Sequence, residues 1–229
     1  MSHAIRSWCH DLGDQGWPTW VLSNHDFVRQ ASRWGGRHRE ARMRLTAMLL
    51  LLLGGTPCLY QGEELGLVQG RIPRASIQDP SGQRYWPFFK GRDGSRTPMQ
   101  WSDSAHGGFS SAEPWLPVNP DHPTRNYEAQ RQDEGSLLHL YRRLIELRRS
   151  HRALSRGSMV LPDPDHPQVV HWVRSHHHQR VGVWLNLSPR AQARTGDEQG
   201  TVLCSTHDSE SSMPPMLRPH EGVVVQLEG

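Results

Sequence analysis

The stretch Thr19-Trp20-Val21-Leu22-Ser23-Asn24-His25-Asp26 decides the predicted fold. Its first half is rich in β-forming residues and its second half is polar, which is typical of a short strand with functional residue types at its C-terminal end. From Arg37 to Leu53, Leu and Met recur at helical spacing, and Cys58–Tyr60 follows as a second strand. With a helix predicted over Ala4–Leu12, the order helix, strand, helix, strand indicates an α/β architecture.

Composition and charge exclude several classes of protein. A length of 229 residues allows one or two domains. The net charge of +3 comes from interleaved residues of both signs, which argues against a nucleic-acid partner. The longest apolar run, Leu45–Leu53, is far shorter than the roughly 18 residues of a membrane span. No secretory signal opens the sequence, so we expect no membrane association and a cytoplasmic location.

A long polar segment from about Gly66 to Gly135 is rich in Gly, Pro and Trp and has little periodicity. Loops of this length usually cover a functional site. The chain contains nine Trp residues, and four of them lie beside Gly, Pro or charged residues: Trp17, Trp34, Trp86 and Trp115. An exposed indole suits the apolar face of a sugar, although core packing is the alternative for any single Trp.

The last third of the chain changes character. Ser136 is predicted to cap a helix over Leu137–Ser150, which has an apolar stripe and a basic C-terminal turn. Beyond Gly157, short β-forming runs predict an antiparallel domain, with His176–His178 at a hairpin tip. The runs are Met159–Leu161, Val169–Arg174, Val181–Leu187, Thr201–Cys204 and Val223–Leu227. We therefore expect two domains, residues 1–154 and 155–229.

Four segments in order resemble the α-amylase family and, within it, the α-glucosidases and oligo-1,6-glucosidases. They are Trp20–Asp26, Gly55–Gly66, Gly91–Trp101 and Pro114–Pro117. The resemblance implies that residues 1–154 are the C-terminal part of a (β/α)₈ TIM barrel, with its last two strands, helices and long active-site loops. It also implies that residues 155–229 form a small antiparallel β-sandwich domain. Catalytic residues of such barrels lie at the C-terminal ends of strands, where Asp26 falls.

The resemblance also implies the roles of the site residues. Taken alone, a strand-end Asp is as often a turn former as a catalyst. In this family Asp26 would be the third carboxylate, the transition-state stabiliser that binds the sugar hydroxyls at C2 and C3. His25 would contact the same sugar, with a purely structural role in the turn as the alternative. Arg92 would bind substrate at the closed end of the pocket, paired with a carboxylate upstream of Met1, and Arg96 is its competitor for that role.

Two tempting carboxylates, Glu63 and Glu64, belong to a loop that shapes the pocket in this family. Retaining hydrolysis needs a nucleophile and an acid/base carboxylate, and neither family motif occurs in this sequence. We therefore expect a fragment of an α-glucosidase that acts on α-glucosides, including malto- and isomalto-oligosaccharides, and that is inactive alone. A separately encoded N-terminal barrel fragment is a candidate partner. No cofactor or metal is predicted, since the family's metal ligands would lie upstream.

Other functions remain open. Trehalose synthases and sucrose isomerases share the barrel and similar loops but transfer the glucosyl group internally, and Pro114–Pro117 favours hydrolysis over these. A non-catalytic, glucosidase-like interaction domain is the alternative of another class, and the combination of His25, Asp26 and Arg92 argues against it. A free-standing sugar-binding β-module would use only Gly157–Gly229 and leave the earlier motifs unexplained.

Overall fold

The two strands predicted early in the chain pair with each other in the computed structural model, which describes residues 5–8, 16–162, 166–207 and 212–228. They are β1 (Thr19–Val21) and β2 (Thr56–Cys58). β2 begins two residues before the predicted Cys58–Tyr60, because the Thr56 amide donates to the Pro18 carbonyl at 2.8 Å as soon as the preceding helix has ended.

Between these strands lie a short helix, α1 (Gln30–Arg33), and a long one, α2 (Arg39–Leu52). The prediction of a helix over 37–53 is therefore confirmed within two residues at each end. Its start is delayed because Gly36–His38 forms a 3₁₀ turn, with Gly36 at a φ of 70°. Its second half is buried on all sides, from Leu49 to Leu52. A helix that is apolar all round must be covered by protein on every face.

The segment 66–135 is ordered by short elements and by its own small core. It contains the helices α3 (Pro80–Arg84) and α4 (Tyr127–Gln132) and three 3₁₀ turns, at Arg74–Ser76, Asp93–Ser95 and Ala105–Gly108. Leu65, Leu67, Met99 and Leu138 form a buried cluster with Tyr127 packed against it. These side chains anchor a segment that has little regular structure, so that the loops between them have defined positions.

The predicted helix over Leu137–Ser150 is confirmed as α5 (Leu137–Ser150), and α6 (Arg152–Arg156) follows it. Ser136 caps α5 as expected, since its Oγ accepts from the His139 amide at 3.3 Å. Near the C-terminal end of α5, the guanidinium of Arg148 donates to the carbonyls of Leu51, Leu53 and Gly55 at 2.6, 3.1 and 2.5 Å. Those carbonyls lie where α2 ends and have no partner within that helix.

The C-terminal region forms the predicted antiparallel sheet, with five strands in the order β3-β4-β5-β9-β7. All five of its predicted strands are confirmed within two residues at each end. The strands are β3 (Ser158–Val160), β4 (Val169–His176), β5 (Gln179–Asn186), β7 (Gly200–Ser205) and β9 (Gly222–Leu227), and β6 (Gln192–Ala193) pairs with β8 (Met216–Leu217) in a separate ribbon. His177 and His178 form the tip between β4 and β5.

The core of this sheet contains Trp184, which is fully buried, together with residues of β4, β8 and β9. Arg174, on β4, is also fully buried and donates to the carbonyls of Leu52, Gly157 and Ser158. By contact density the described residues fall into two compact units. One comprises those within 1–20, 44–58 and 142–229, and the other comprises 21–43 and 59–141. Across the described ranges, no helix is long and apolar enough to cross a bilayer.

Candidate active site

The polar end of β1 folds into a tight turn that presents Asp26. The Asn24 side-chain oxygen accepts from the amides of Asp26 and Phe27 at 2.8 and 3.0 Å. The Ser23 hydroxyl accepts from the Gln30 amide at 2.9 Å, where α1 begins. These two short side chains satisfy the backbone of the turn, which is why Ser and Asn suit these positions. The Asp26 side chain is left 42 % exposed and available to a ligand.

The structure brings the three sequence-predicted site residues together. Oδ1 of Asp26 accepts from Arg92 Nη1 at 2.9 Å and from Arg96 Nη2 at 3.3 Å. Nε2 of His25 lies 3.5 Å from the other carboxylate oxygen, Oδ2. All four side chains are at least a quarter exposed, so the cluster lies open to solvent in this chain. An exposed carboxylate flanked by two guanidinium groups and an imidazole is suited to binding hydroxyl groups of a polar ligand.

Arg92 is held in place by a second carboxylate, Asp79. Oδ2 of Asp79 accepts from both the Nε and the backbone N of Arg92, each at 2.8 Å. Asp79 is 1 % exposed, and its hydrogen bonds with Arg92 lower its pKa to about 2. The same bonds, together with the bond to Asp26, raise the pKa of Arg92. Arg92 therefore bridges a buried carboxylate that fixes it and an exposed carboxylate that it can share with a ligand.

The approach of these two residues depends on Gly91. Its φ is 76°, and a Cβ at this position would lie 2.9 Å from Cβ of Asp79. A side chain there would therefore push Asp79 away from the Arg92 amide. Sequence reasoning did not find Asp79 and placed the carboxylate partner of Arg92 outside the chain. Asp79-Pro80 gives a helix-start signal, and Asp79 does cap α3 through Ser81 N at 3.0 Å, but that signal says nothing about Arg92.

Ser95 was also missed, and it joins the two loops of the site. Its fully buried hydroxyl lies 3.0 Å from the carbonyl of His25 and 2.8 Å from the carbonyl of Arg92. Nε of Arg96 donates to the same His25 carbonyl at 3.0 Å. The hydroxyl of Tyr60 donates to the Ser95 carbonyl at 3.0 Å. Arg96 therefore ties its loop to the turn after β1 and contacts Asp26 as well.

The neighbouring carboxylates Glu63 and Glu64 lie in a different environment. Glu63 is 3 % exposed and accepts from the Tyr60 amide at 3.3 Å. Burial away from water raises its pKa to about 7 and also raises the pKa of Glu64. Arg29, equally buried, lies 4.9 Å from the Tyr60 ring centre and donates to the carbonyl of Gln61 at 2.7 Å. This cluster stabilises the turn after β2, and none of the described contacts joins it to Asp26.

We also searched the described residues for metal ligands and disulfide bonds. Within it, no group of three or more His, Cys, Asp or Glu side chains is placed to hold a metal ion. Cys58 and Cys204 are free thiols, and Cys9 lies outside the described residues.

A family model and curated relatives match this chain, and they point to the same family. Residues 1–157 match the family model described as alpha amylase, catalytic domain. A probable alpha-glucosidase of Rhizobium meliloti is 42 % identical over 187 residues, covering 81 % of this chain and 34 % of the relative. An oligo-1,6-glucosidase of Parageobacillus thermoglucosidasius is 32 % identical over 255 residues, covering 99 % of this chain and 45 % of the relative. The chain thus spans about a third to a half of the length of these relatives.

This chain also superposes on solved enzyme structures. The trehalulose synthase MutB from Pseudomonas mesoacidophila MX-45 superposes with a TM-score of 0.87 at 28 % identity, covering 99 % of this chain and 46 % of that one. The alpha-glucosyl transfer enzyme XgtA superposes with a TM-score of 0.85 at 35 % identity, covering 99 % and 43 %. Such enzymes combine a TIM barrel with a C-terminal sheet domain, and this chain contains a five-stranded antiparallel sheet.

Proposed function

This chain belongs to the α-amylase family, and from that premise we propose that it is the C-terminal part of a retaining α-glucosidase. Its substrates would be α-glucosides such as malto- and isomalto-oligosaccharides, from which it removes terminal glucose. The observation that carries this proposal is the contact of Asp26 Oδ1 with Arg92 and Arg96 beside the His25 ring. It assembles, in one exposed cluster, the sugar-binding groups that the family resemblance assigns to this part of the chain.

Asp26 would act on the sugar rather than on the scissile bond. In retaining hydrolysis one carboxylate attacks the anomeric carbon and another protonates the leaving oxygen, so that positive charge develops on the ring. A third carboxylate that binds the C2 and C3 hydroxyls stabilises this charge and the distorted ring that carries it. Arg92, held by Asp79, would then donate to sugar hydroxyls from a fixed direction, and His25 would contact the same sugar.

The division of labour within the protein is part of the proposal. Residues 1–154 would supply barrel strands seven and eight with their loops and the last helix, and residues 155–229 would form the C-terminal β-sandwich domain. The nucleophile and the acid/base carboxylate would lie outside the 229 residues, on a preceding segment or on a separately made N-terminal fragment. Two facts support this division: the chain covers less than half of its relatives, and the family match ends at residue 157.

The proposal is tested by completing the active site. In a chimera, this chain replaces the matching section of the Parageobacillus thermoglucosidasius relative, and hydrolysis of an aryl α-glucoside is measured. We expect activity in the chimera and none in the purified chain alone. Asp26→Asn in the chimera should lower kcat by roughly two to three orders of magnitude while leaving its unfolding temperature unchanged. Turnover by the chain alone would refute the division, and near-normal turnover of the Asp26→Asn chimera would refute the role of Asp26.

A second candidate is transfer of the glucosyl group instead of hydrolysis. It is favoured by the superposition on the structures of a trehalulose synthase and an alpha-glucosyl transfer enzyme. The same chimera decides between the two reactions when it is given sucrose or maltose. Release of free glucose as the main product supports hydrolysis, whereas an isomeric disaccharide or a longer oligosaccharide supports transfer.

A further inference from the structure

We propose that the cavity beside Trp115 is a second carbohydrate site, which binds one pyranose unit of an α-linked oligosaccharide. The cavity has a volume of about 300 Å³. Its walls combine one indole, two imidazoles, a carboxylate and a hydroxyl, from Trp115, His106, His122, Glu113 and Ser76. It shares no residue with the Asp26 cluster, so the inference goes beyond the proposed catalytic function.

Trp115 is presented to solvent by a rigid segment. Its side chain is 77 % exposed, whereas the next residue, Leu116, is 2 % exposed and anchors the segment in the interior. Pro114 and Pro117 flank the pair and fix two of the backbone φ angles. A large aromatic ring held outward on a stiff segment loses little conformational freedom when a ligand covers it.

The two imidazoles that line the cavity lie on backbone segments that pack against each other. His106 has a φ of 56°, a left-handed conformation that is costly for a residue with a side chain. The following residue is Gly107. A Cβ atom added to it would lie 3.1 Å from Cγ1 of Val118 and 3.8 Å from Cβ of His122. The strained turn therefore packs directly against the segment that carries His122.

His122 is oriented by its own hydrogen bonds. Its Nδ1 lies 3.1 Å from the Asn119 carbonyl, and its carbonyl accepts from the Asn126 side chain at 2.8 Å. A carbonyl only accepts, so Nδ1 donates in this contact, and the contact does not use Nε2. Asn119 and Asn126 are both buried, so the ring nitrogen and the backbone of His122 are each tied to a buried residue.

This combination of groups selects a sugar. The face of an indole packs against the C–H face of a pyranose, while a carboxylate accepts hydrogen bonds from its hydroxyls and imidazole nitrogens form hydrogen bonds with them. The carboxylate of Glu113 disfavours phosphorylated or otherwise anionic ligands. The mixed lining and modest size fit a single ring better than an apolar cofactor.

The site is tested by titrating the chain with maltotriose, followed by ligand-observed NMR and calorimetry. Trp115→Ala should weaken binding at least about tenfold, because truncating a Trp at the centre of a contact removes most of its stabilisation. Glu113→Gln, at an exposed position that does not contribute to the core, should weaken it less. Phe88→Ala serves as the matched control, since Phe88 is 97 % exposed and does not line the cavity.

The outcomes separate this site from the Asp26 cluster. Binding that persists in Arg92→Ala and is lost in Trp115→Ala supports the second site. Equal affinity of the unaltered chain and Trp115→Ala overturns it, whether or not Arg92→Ala loses binding, and so does the absence of saturable binding by the unaltered chain. Neither of the last two results bears on the hydrolytic activity of the chimera, which tests the proposed function separately.

Discussion

Nη1 of Arg92 lies 2.9 Å from Oδ1 of Asp26, although the two residues are 66 positions apart in the sequence. The contact joins the turn after β1 to the loop that follows α3. Because Nε of the same guanidinium donates to the buried Asp79, the position of Arg92 is set from the side away from solvent. Arg92 thus links an exposed carboxylate, Asp26, to a buried one, Asp79, which orients it.

The Asp79–Arg92 pair predicts a specific loss of stability in acid. The pKa of Asp79 is about 2 in the folded chain, below its ordinary value of 3.8. The ionised Asp79 carboxylate therefore contributes fully to the stability of the folded state at pH values above its unfolded pKa. This contribution is lost as the pH falls toward its folded pKa. Asp79→Asn should unfold at a lower temperature than the unaltered chain near neutral pH, and this difference should shrink between about pH 4 and pH 2. A pH-independent difference measured by thermal unfolding would contradict the assignment.

Ser95 should be needed for the alignment of the two loops. Ser95→Ala removes the hydroxyl that lies close to the carbonyls of His25 and Arg92, and we expect a loss of about 1 to 2 kcal/mol in the free energy of unfolding. Ser81→Ala is the matched control, because Ser81 lies on α3 and none of the described hydrogen bonds uses its hydroxyl. In the chimera, Ser95→Ala should also lower kcat/KM for the aryl α-glucoside. A variant as stable and as active as the control would remove Ser95 from the positioning network.

His171 predicts a second pH dependence, in the C-terminal sheet. It is 8 % exposed and stacks on Trp184 at 4.0 Å between ring centres. Burial, with a smaller contribution from the positive charge of Arg194, lowers its pKa from 6.5 to about 4. The unfolded chain therefore takes up this proton first, and stability falls as the pH drops from about 6.5 to 4, by up to roughly 1.4 kcal/mol per pH unit.

The variant that isolates this effect is His171→Phe. A phenyl ring preserves the stack on Trp184 and does not titrate, so the stability of this variant should fall less steeply than that of the unaltered chain over the same pH range. Denaturant unfolding at several pH values measures the difference. Parallel curves for the two proteins would show that His171 is not the group responsible.

Arg174 should be required for the stability of the unit that contains the sheet. Its fully buried guanidinium donates to the carbonyls of Leu52, Gly157 and Ser158. Arg174→Met would remove all three of these charge-assisted hydrogen bonds, although the Leu52 carbonyl keeps the Trp172 Nε1 donor at 3.2 Å. We therefore expect a loss of about 3 kcal/mol or more in the free energy of unfolding. Arg190→Met, at an exposed position, should change stability by less than about 0.5 kcal/mol. Similar denaturation midpoints for the two variants would contradict this role.

The sequence alone determined features that depend on local pattern. The periodicity of Leu137–Ser150 and its Ser136 cap predicted α5 to the residue, because helix formation is governed by contacts three and four positions apart. The polar end of β1 made Asp26 a candidate, but a strand-end Asp alone is as often a turn former, and the roles of Asp26 and His25 came from the family resemblance. Arg92 came from the family resemblance alone, through the motif that contains it.

Only the tertiary structure decided how these residues meet. Asp79 and Ser95 lie in the segment 66–135, where Gly91, close-packed turns and side-chain hydrogen bonds set the path of the chain. No repeat in the sequence encodes that path, because each of these contacts is a single pairing between distant positions. The sequence was therefore sufficient to predict Asp26, the exposed carboxylate that would bind a sugar. The buried groups that hold its neighbours in place, the Asp79 carboxylate and the Ser95 hydroxyl, became apparent only from the tertiary structure.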